Sequence, residues 1–235
     1  MPSPYKKTII ITGANRGIGL GFVKHYLGKN FNVIATCRDP AKANDLKELS
    51  KEYQNLIIEK LDVSSPTNQE QLLQKYKSIV IDILINNAGV YPEHHQKFSI
   101  SETDPNWVNN AFQINCLGPF QLIHNFKDNL LKSTKPIVIN MGSQAGSISQ
   151  TQAGFGYAYR ISKAALNMLT KTFAAECPQI ITISLRPGWV KTAMGGDNAN
   201  LEISDSIQAM TNLIENLSHK DSGKFLDAQR NQQPW

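Results

Sequence analysis

The chain contains the stretch TIIITGANRGIG between Thr8 and Gly19, and this stretch decides the fold. Its first part, Thr8–Thr12, is a short apolar run that predicts a buried strand. A glycine-rich turn follows, and a helical pattern begins near Gly17. Glycines permit a tight turn and let the backbone approach a pyrophosphate, which the N-terminus of the next helix then favours electrostatically. The turn predicts a nucleotide site if it opens an alternating strand–helix pattern.

The rest of the chain supplies that pattern. Further strands are predicted at Phe31–Thr36, Leu56–Leu61, Val80–Ile85, Pro136–Asn140, Ile180–Leu185 and, as a short last strand, Lys224–Asp227. Helices are predicted to start near Gly17, Pro40, Pro66, Asp104, Tyr157 and Ser204. This alternation indicates an α/β fold, a Rossmann-type doubly wound and mostly parallel sheet of seven strands with helices on both faces. The ligand site is then expected beyond the carboxyl ends of the strands.

Composition restricts the classes of function. A chain of 235 residues with 41% hydrophobic and 18% charged residues fits one globular domain, residues 1–235. The net charge of +5 is scattered, which favours a solvated surface or a basic pocket for a phosphorylated ligand over nucleic-acid binding. Cys37, Cys116 and Cys177 lack a metal-type spacing, and three cysteines do not suit a disulfide framework. With no signal peptide in Met1–Lys7 and no bilayer-length apolar run, we expect a cytoplasmic protein.

The glycine turn predicts a nicotinamide cofactor, and the end of the second strand indicates which one. Asp39 is placed to bind a ribose 2′-hydroxyl, as in NAD(H) sites, but Asp followed by Pro40 is also typical of a helix N-cap. Arg38 and Arg16 offer two guanidinium groups near the same ribose, which suits a 2′-phosphate. The pair favours NADP(H) over NAD(H). The residues of the turn predicted to hold the cofactor are Gly13, Asn15, Arg16, Gly17, Ile18 and Gly19.

Three later loops belong to the same predicted site. Asp62 and Val63 end the third strand, where the carboxylate either accepts the adenine amino group or caps the helix after Pro66. Small residues after the fourth strand let the backbone pass the ribose, while a plain turn uses the same residue types. The Pro-Gly turn after the sixth strand brings Thr192 toward a cofactor amide or phosphate. The candidate residues from these last two loops are Asn87, Ala88, Gly89, Pro187, Gly188, Val190 and Thr192.

A tyrosine and a lysine four residues apart form the candidate catalytic pair. Tyr159 and Lys163 share one helix face. The ammonium, together with the positive charge of an oxidised nicotinamide, is predicted to stabilise a phenolate and to lower the pKa of the tyrosine from about 10. Tyr157 is a poorer candidate because its fourth neighbour is Ile161. An incidental Tyr/Lys pair on a solvated helix is the ordinary alternative.

Two polar residues are candidate partners of this pair. Ser143, just past the fifth strand, is placed to donate to a substrate oxygen, with Ser147 and Ser149 as competitors. Asn115 interrupts an apolar helix, where it either holds a water that passes protons to Lys163 or is a satisfied core asparagine.

Together these motifs resemble the short-chain dehydrogenase/reductase family along essentially the whole chain. The turn Thr12–Gly19, the motif Asn86–Gly89 and the signature Tyr159–Lys163 carry the resemblance, which implies a catalytic tetrad of Asn115, Ser143, Tyr159 and Lys163. The stretches YRISKAALN from Tyr159 and PGWVKT from Pro187, the pair Gly195-Gly196 and the ending from Ser222 to Trp235 are similar to the carbonyl-reductase-like branch that includes the bacterial C-factor. That branch generally prefers NADPH.

Two features depart from the family pattern. Tyr159 follows Ser143 by 16 positions, which is longer than usual, so the assignment of Ser143 depends on the Ser-x-x-Gly match with Gly146. The segment Arg230–Gln233 lacks the glycine usual before the final Pro-Trp.

The sequence therefore predicts an NADPH-dependent carbonyl reductase, reversible as an alcohol dehydrogenase, for a small or apolar carbonyl. The substrate is expected between Tyr91–Asn110, Gln144–Phe155 and Met194–Asp205, the last as a lid. The resemblance implies a homodimer or homotetramer. An NADP(H)-binding regulatory or signalling protein on the same fold is the alternative.

Overall fold

The computed structural model describes residues 6–152 and 154–235 of the chain. Residues 1–5 of the N-terminal segment, and Ala153 of the predicted substrate loop 144–155, lie outside the described residues.

One seven-stranded sheet forms the centre of the structure. Its strands are β1 (Thr8–Thr12), β2 (Asn32–Cys37), β3 (Leu56–Lys60), β4 (Ile83–Asn86), β5 (Ile137–Met141), β6 (Ile181–Arg186) and β7 (Phe225–Asp227). They lie in the order β3-β2-β1-β4-β5-β6-β7, and every neighbouring pair in this sheet is parallel. The predicted doubly wound sheet is confirmed. Strand order reverses between β1 and β4, which places a ligand crevice at their carboxyl ends.

Seven α-helices cover the sheet: α1 (Gly17–Gly28), α2 (Asn44–Glu52), α3 (Pro66–Tyr76), α4 (Pro105–Phe112), α5 (Gly118–Leu131), α6 (Tyr157–Glu176) and α7 (Ile203–Glu215). The prediction that a helix starts near Pro40 is corrected by the structure. Pro40–Lys42 forms only a 3-10 turn, and α2 begins at Asn44.

The core lies on both faces of β1. Ile9 and Ile11 pack on one face with residues of α1 and α7 such as Phe22 and Met210. Ile10 packs on the opposite face with residues of α5 such as Phe126. A strand buried on both faces has no polar side, which explains the continuous apolar run in this part of the sequence.

A π-helical turn joins α4 to α5 and carries Asn115. It spans Gln113–Leu117, and the N–H of Gly118 donates to the carbonyl of Gln113. Pro119 follows in the first turn of α5. Because proline has no N–H, it leaves the carbonyl of Asn115 without its ordinary α-helical donor. The irregularity therefore falls at a candidate site residue, as π-turns often do.

A buried chain of polar side chains seats α6 on the sheet. The Asn86 amide in β4 donates to Asn140 Oδ1 at 2.8 Å, and the Asn140 amide in β5 donates to Thr170 Oγ1 on α6 at 2.9 Å. Buried amides are stable only when hydrogen-bonded, so these contacts restrict α6 to one position.

The C-terminal turn forms without the glycine that its family pattern contains. Arg230 takes a left-handed backbone conformation, with φ 70°, which glycine adopts most readily. Its guanidinium donates to Asp221 Oδ2 at 2.7 Å. The chain then returns to the loop after β5, where Ser147 Oγ donates to the carbonyl of Pro234 at 2.8 Å. The missing glycine does not prevent the turn, because the ion pair holds the arginine there.

Candidate active site

The glycine turn after β1 packs so tightly that a side chain larger than that of glycine does not fit. Gly13 and Gly17 have φ values of 61° and 56°, which suit glycine. A Cβ at Gly13 would lie 2.9 Å from Ala88 Cα. A Cβ at Gly19 would overlap the carbonyl oxygen of Gly13 and lie 2.6 Å from Asn87 Nδ2. This close-packed backbone turn at the start of α1, in which Gly13 is partly exposed and Gly19 is buried, is called the glycine cradle below.

The turn after β4 is hydrogen-bonded to this cradle. Thr12 Oγ1 accepts the backbone N–H groups of Asn87 at 3.0 Å and Ala88 at 2.9 Å. The Asn87 side-chain amide donates to the carbonyls of Thr12 at 2.8 Å and Gly13 at 3.1 Å. The Asn87 side chain thus holds the ends of β1 and β4 together.

Two arginines flank the same corner of the sheet. The N–H of Ala14 donates to the carbonyl of Thr36 at 2.9 Å, which places the glycine turn beside the end of β2. Arg16 and Arg38 each follow one of these residues by two positions and are exposed. Neither guanidinium makes a hydrogen bond or an ion pair with another described residue.

The two acidic residues at this corner have other contacts. Asp39 Oδ1 accepts the N–H of Ala41 at 3.1 Å, so the aspartate caps the 3-10 turn. Asp62 Oδ1 accepts from the N–H of Ser64 at 2.9 Å and from its hydroxyl at 2.6 Å. The possibility that Asp62 caps α3 is wrong, because Ser65 accepts the N–H of Asn68 there. Serine takes that position because it directly precedes proline at N1.

The loop after β6 adjoins the cradle. Thr192 Cγ2 lies 3.6 Å from the position of a Cβ on Gly17, and Thr192 Oγ1 accepts the N–H of Gly195 at 3.0 Å. Gly188 takes φ 89°, and the carbonyl of Pro187 accepts the hydroxyl of Ser206 at 2.8 Å.

Tyr159, Lys163 and Ser143 come together where α6 meets the end of β5. Lys163 is 5% exposed, and its Nζ donates to the carbonyl of Met141 at 2.7 Å. The same Nζ lies 5.6 Å from the ring centroid of Tyr159. The Ser143 Oγ accepts the N–H of Ala145 at 3.2 Å, and the side chain is near enough to Tyr159 to lower the pKa of its hydroxyl. A buried ammonium without a carboxylate partner is costly to stability, which is typical of a functional site.

Burial controls the pKa values of this cluster. It raises the pKa of Tyr159, whereas the hydrogen bond with Ser143 lowers it and nearby Tyr91 raises it. Burial also lowers the pKa of Lys163 from 10.5 to about 8. The protein's own groups therefore raise the pKa of Tyr159, because desolvation of the phenolate has the larger effect. The predicted lowering, which includes the charge of an oxidised nicotinamide, stays a prediction.

The three candidate serines have different partners. Ser147 Oγ donates to the carbonyl of Pro234 at 2.8 Å, and Ser149 Oγ donates to the carbonyl of Trp235 at 2.7 Å. Both hydroxyls therefore fasten the C-terminal segment. Of these three serines, Ser143 is the one that lowers the pKa of Tyr159.

The side chain of Asn115 is saturated by protein groups. Its Oδ1 accepts the N–H of Val90 at 2.8 Å, and its amide donates to the carbonyl of Val90 and the hydroxyl of Ser162, both at 2.9 Å. It therefore links the loop after β4 to α6. As a side chain it is a satisfied core asparagine, while its backbone carbonyl is the group that the π-turn releases.

Sequence reasoning missed two contacts of the segment after β4. The Tyr91 ring lies 4.6 Å from the Tyr159 ring, centroid to centroid. Glu93 is buried, and its Oε1 accepts the N–H of Ala158 at 2.6 Å. No sequence signal identifies a lone glutamate in a loop as the partner of a helix 65 residues later.

The predicted lid is shorter than expected. Residues 203–205 form the first turn of α7, so only Met194–Glu202 is a loop. The loop is fastened to its surroundings: Trp189 Nε1 donates to the carbonyl of Gly195 at 2.7 Å, and His95 Nε2 donates to the carbonyl of Met194 at 2.7 Å.

The described residues contain neither a metal-type cluster nor a helix of the membrane-spanning kind. No cluster of three or more His, Cys, Asp or Glu side chains there has the geometry of a metal site. None of the helices in ranges 6–152 and 154–235 combines the length and apolarity needed to span a bilayer.

Residues 7–202 match the sequence profile of the short chain dehydrogenase family. The chain belongs to that family. Among its sequence relatives is C-signal of Myxococcus xanthus, which is 36% identical over 157 residues, or 66% of this chain and 93% of C-signal.

Solved structures of carbonyl reductases are also similar to this chain. The carbonyl reductase Sniffer of D. melanogaster superposes with a TM-score of 0.92 at 32% identity, covering 98% of this chain and all of Sniffer. An NADPH-bound carbonyl reductase from chicken fatty liver gives a TM-score of 0.89 at 35% identity, covering 98% of this chain and 99% of the other. The predicted membership of the carbonyl-reductase-like branch is confirmed, and the chain is an oxidoreductase of the short-chain type.

The lowered pKa of Lys163 predicts how stability depends on pH. Between pH 8 and 10 the unfolded chain still binds a proton that the folded protein has lost, so the free energy of unfolding rises with pH by about 2 kcal/mol from this group. Denaturant unfolding of the wild type and Lys163→Met at both pH values should show this rise only in the wild type.

Lys24→Met, which changes an exposed lysine on α1, should keep the wild-type slope. Equal pH dependence in the wild type and Lys163→Met would contradict the burial of a titrating ammonium.

Proposed function

We propose that this short-chain dehydrogenase is an NADPH-dependent carbonyl reductase that also runs in reverse as an alcohol dehydrogenase. The observation that carries the proposal is the cluster of buried Lys163 with partly buried Tyr159 and Ser143. It lies at the carboxyl end of β5, at the same edge of the sheet as the glycine cradle. A tyrosine that can give up a proton and a fixed ammonium are what proton transfer to a carbonyl oxygen requires.

The cradle fits the dinucleotide. Gly13 and Gly19 pack so closely against the protein that a Cβ would collide there, and the N-terminus of α1 offers N–H groups to a pyrophosphate. The unpaired guanidinium groups of Arg16 and Arg38 suit the 2′-phosphate of NADP(H), the cofactor named in the chicken structure. The residues proposed to hold it are Gly13, Asn15, Arg16, Gly17, Ile18, Gly19, Arg38, Asp62, Val63, Asn87, Ala88, Gly89, Tyr159, Lys163, Pro187, Gly188, Val190 and Thr192.

The chain's own residues handle the proton. Bound NADPH supplies a hydride to the carbonyl carbon. Ser143 donates a hydrogen bond that polarises the carbonyl oxygen, and Tyr159 gives that oxygen its proton. Lys163 stabilises the resulting phenolate and, with Asn115, forms the route by which a proton returns to Tyr159.

The surroundings favour an apolar substrate. Ile148, Trp189 and Met194 belong to the loops after β5 and β6, and they expose 76%, 49% and 37% of their surface. Exposed apolar side chains near a candidate site are typical of a site for a hydrophobic ligand. The loop Met194–Glu202 is proposed to act as a lid.

We also propose that the chain forms a homodimer or homotetramer. The helix α6 exposes Ile161 and Met168, which are two turns apart on one face, and α5 exposes Phe120. Apolar residues on a helix surface of this kind favour burial against a second copy.

Replacing the proposed acid should remove chemistry and spare binding. We expect Tyr159→Phe to lower kcat at least about 100-fold because no other group can supply the proton. The Kd for NADPH should stay within about twofold. A panel of aldehydes, ketones and quinones, assayed with NADPH and NADH, measures both. Tyr157→Phe is the matched control and should retain activity.

Binding of NADPH with no turnover of any carbonyl by the wild type would favour the alternative of a regulatory or signalling protein.

Removing Arg38 should reduce the preference for NADPH. Since a charge-assisted hydrogen bond to a phosphate contributes about 1.5–3 kcal/mol, Arg38→Ala should weaken NADPH binding about tenfold or more and leave NADH binding unchanged. Fluorescence titration of each cofactor checks this. Lys42→Ala, which removes an exposed cation nearby, is the control. If both variants weaken NADPH binding equally, Arg38 does not bind the 2′-phosphate specifically.

A methyl group in the cradle should block the cofactor. In Gly19→Ala the Cβ collides with the carbonyl of Gly13, so the turn must open, and we expect the Kd for NADPH to rise by about tenfold or more. In Gly28→Ala, on the same helix, the Cβ meets no atom within 4 Å, and the Kd should not change. Calorimetric titration of both variants distinguishes cradle geometry from a general effect on α1.

A further inference from the structure

The catalytic helix begins without a cap of its own. The residue before α6 is Gly156, which has φ 73° and no side chain to accept a hydrogen bond. Its carbonyl accepts the N–H of Arg160 at 2.9 Å, so the helical pattern starts there. The N–H groups of the first turn have no partner within the helix and need acceptors from elsewhere. Tyr159 belongs to this turn, and any movement of the turn moves its hydroxyl.

Glu93 supplies the missing acceptor from a distant loop. Its Oε1 accepts the N–H of Ala158, the residue directly before Tyr159, at 2.6 Å. The side chain is 1% exposed, so water does not compete for the contact. A carboxylate at the positive end of a helix is also favoured by the helix dipole.

The position of this carboxylate is costly. Its second oxygen, Oε2, is buried and has no hydrogen-bond partner among the described residues. A buried, half-satisfied carboxylate destabilises a fold relative to an exposed one. Helix caps need no such burial, since Asp104 caps α4 from an exposed position. Stability alone does not account for Glu93.

The segment that carries Glu93 contacts the site at two further points. The Tyr91 ring packs on the Tyr159 ring at 4.6 Å, and His95 donates to the carbonyl of Met194 at 2.7 Å. His94 and His95 have φ values of 46° and 67°, a left-handed conformation that is strained for residues with a Cβ. Strained backbone persists only where surrounding contacts hold it, so the segment is fixed between α6 and the loop after β6.

We propose that Glu93 is a positioning residue for catalysis: by capping α6 at Ala158 it sets the position of the Tyr159 hydroxyl relative to Ser143 and Lys163. The inference rests on the reductase function proposed above. It assigns to Glu93 no contact with substrate or cofactor. Its effect passes through the first turn of α6 and through the packing of Tyr91 on Tyr159.

The test compares Glu93→Ala with Glu93→Gln. Alanine removes the acceptor, so the first turn of α6 loosens, and kcat should fall about 10- to 100-fold because a small misplacement of a reacting group has effects of that size. The KM for substrate and the Kd for NADPH should stay within about twofold. Glutamine keeps an oxygen in the place of Oε1 and should restore kcat to within about threefold of the wild type.

Ser65→Ala is the matched control. It also removes a side-chain cap, in this case from α3, and it should lower thermal stability without lowering kcat. An equal loss of kcat in Glu93→Ala and Ser65→Ala, or no rescue by Glu93→Gln, overturns the proposal.

Hydrogen exchange of the ligand-free protein tests the cap independently of turnover. The amides of residues 157–160 should exchange at least about tenfold faster in Glu93→Ala than in the wild type, and at the wild-type rate in Glu93→Gln. Unchanged exchange in Glu93→Ala overturns the cap. If the amides exchange faster in Glu93→Ala but the wild type reduces no carbonyl, the cap is supported and the reductase function is refuted.

Discussion

The hydroxyl of Thr12 joins the ends of β1 and β4, the two strands between which the strand order reverses. It accepts the N–H groups of both Asn87 and Ala88, so the turns after β1 and β4 cannot separate. The rest of the site depends on this contact because both turns lie at the carboxyl ends of β1 and β4, where the ligand is expected. The absence of side chains at Gly13 and Gly19 allows the two turns to pack against each other, and the side-chain amide of Asn87 holds them there.

The second constraint is electrostatic. Lys163 is buried with a backbone carbonyl as its hydrogen-bond partner, and burial lowers its pKa to about 8. A charge in this position is unfavourable until a ligand or a phenolate compensates for it. The raised pKa of Tyr159 keeps that residue protonated, which suits donation of a proton during carbonyl reduction. Tyr159 is therefore protonated in the protein by itself, and the neighbouring Lys163 ammonium stabilises the phenolate that forms when the proton leaves.

Local patterns allowed much of this to be predicted. The strand Thr8–Thr12 was predicted to the residue, because a strand buried on both faces reads as an uninterrupted apolar run. The spacing of Tyr159 and Lys163 was sufficient to place both on one helix face. Local patterns failed where two explanations use the same residue type: Asp62 was a plausible cap for α3, and only the hydrogen bonds show that Ser65 has that role. The lid was predicted too long because polar residues occur equally in loops and in the first turn of α7.

By itself, then, the sequence determined the doubly wound sheet, the glycine cradle and the candidate pair on α6, since these follow from periodicity and from residues close together in the chain. Only the tertiary structure decided which of Ser143, Ser147 and Ser149 meets Tyr159, because the other two hydroxyls bind a C-terminal segment more than 80 residues away. It also decided the role of Glu93, whose partner is 65 residues distant. Hydrogen bonds between distant segments depend on how the elements pack, and no local pattern of residues contains that information.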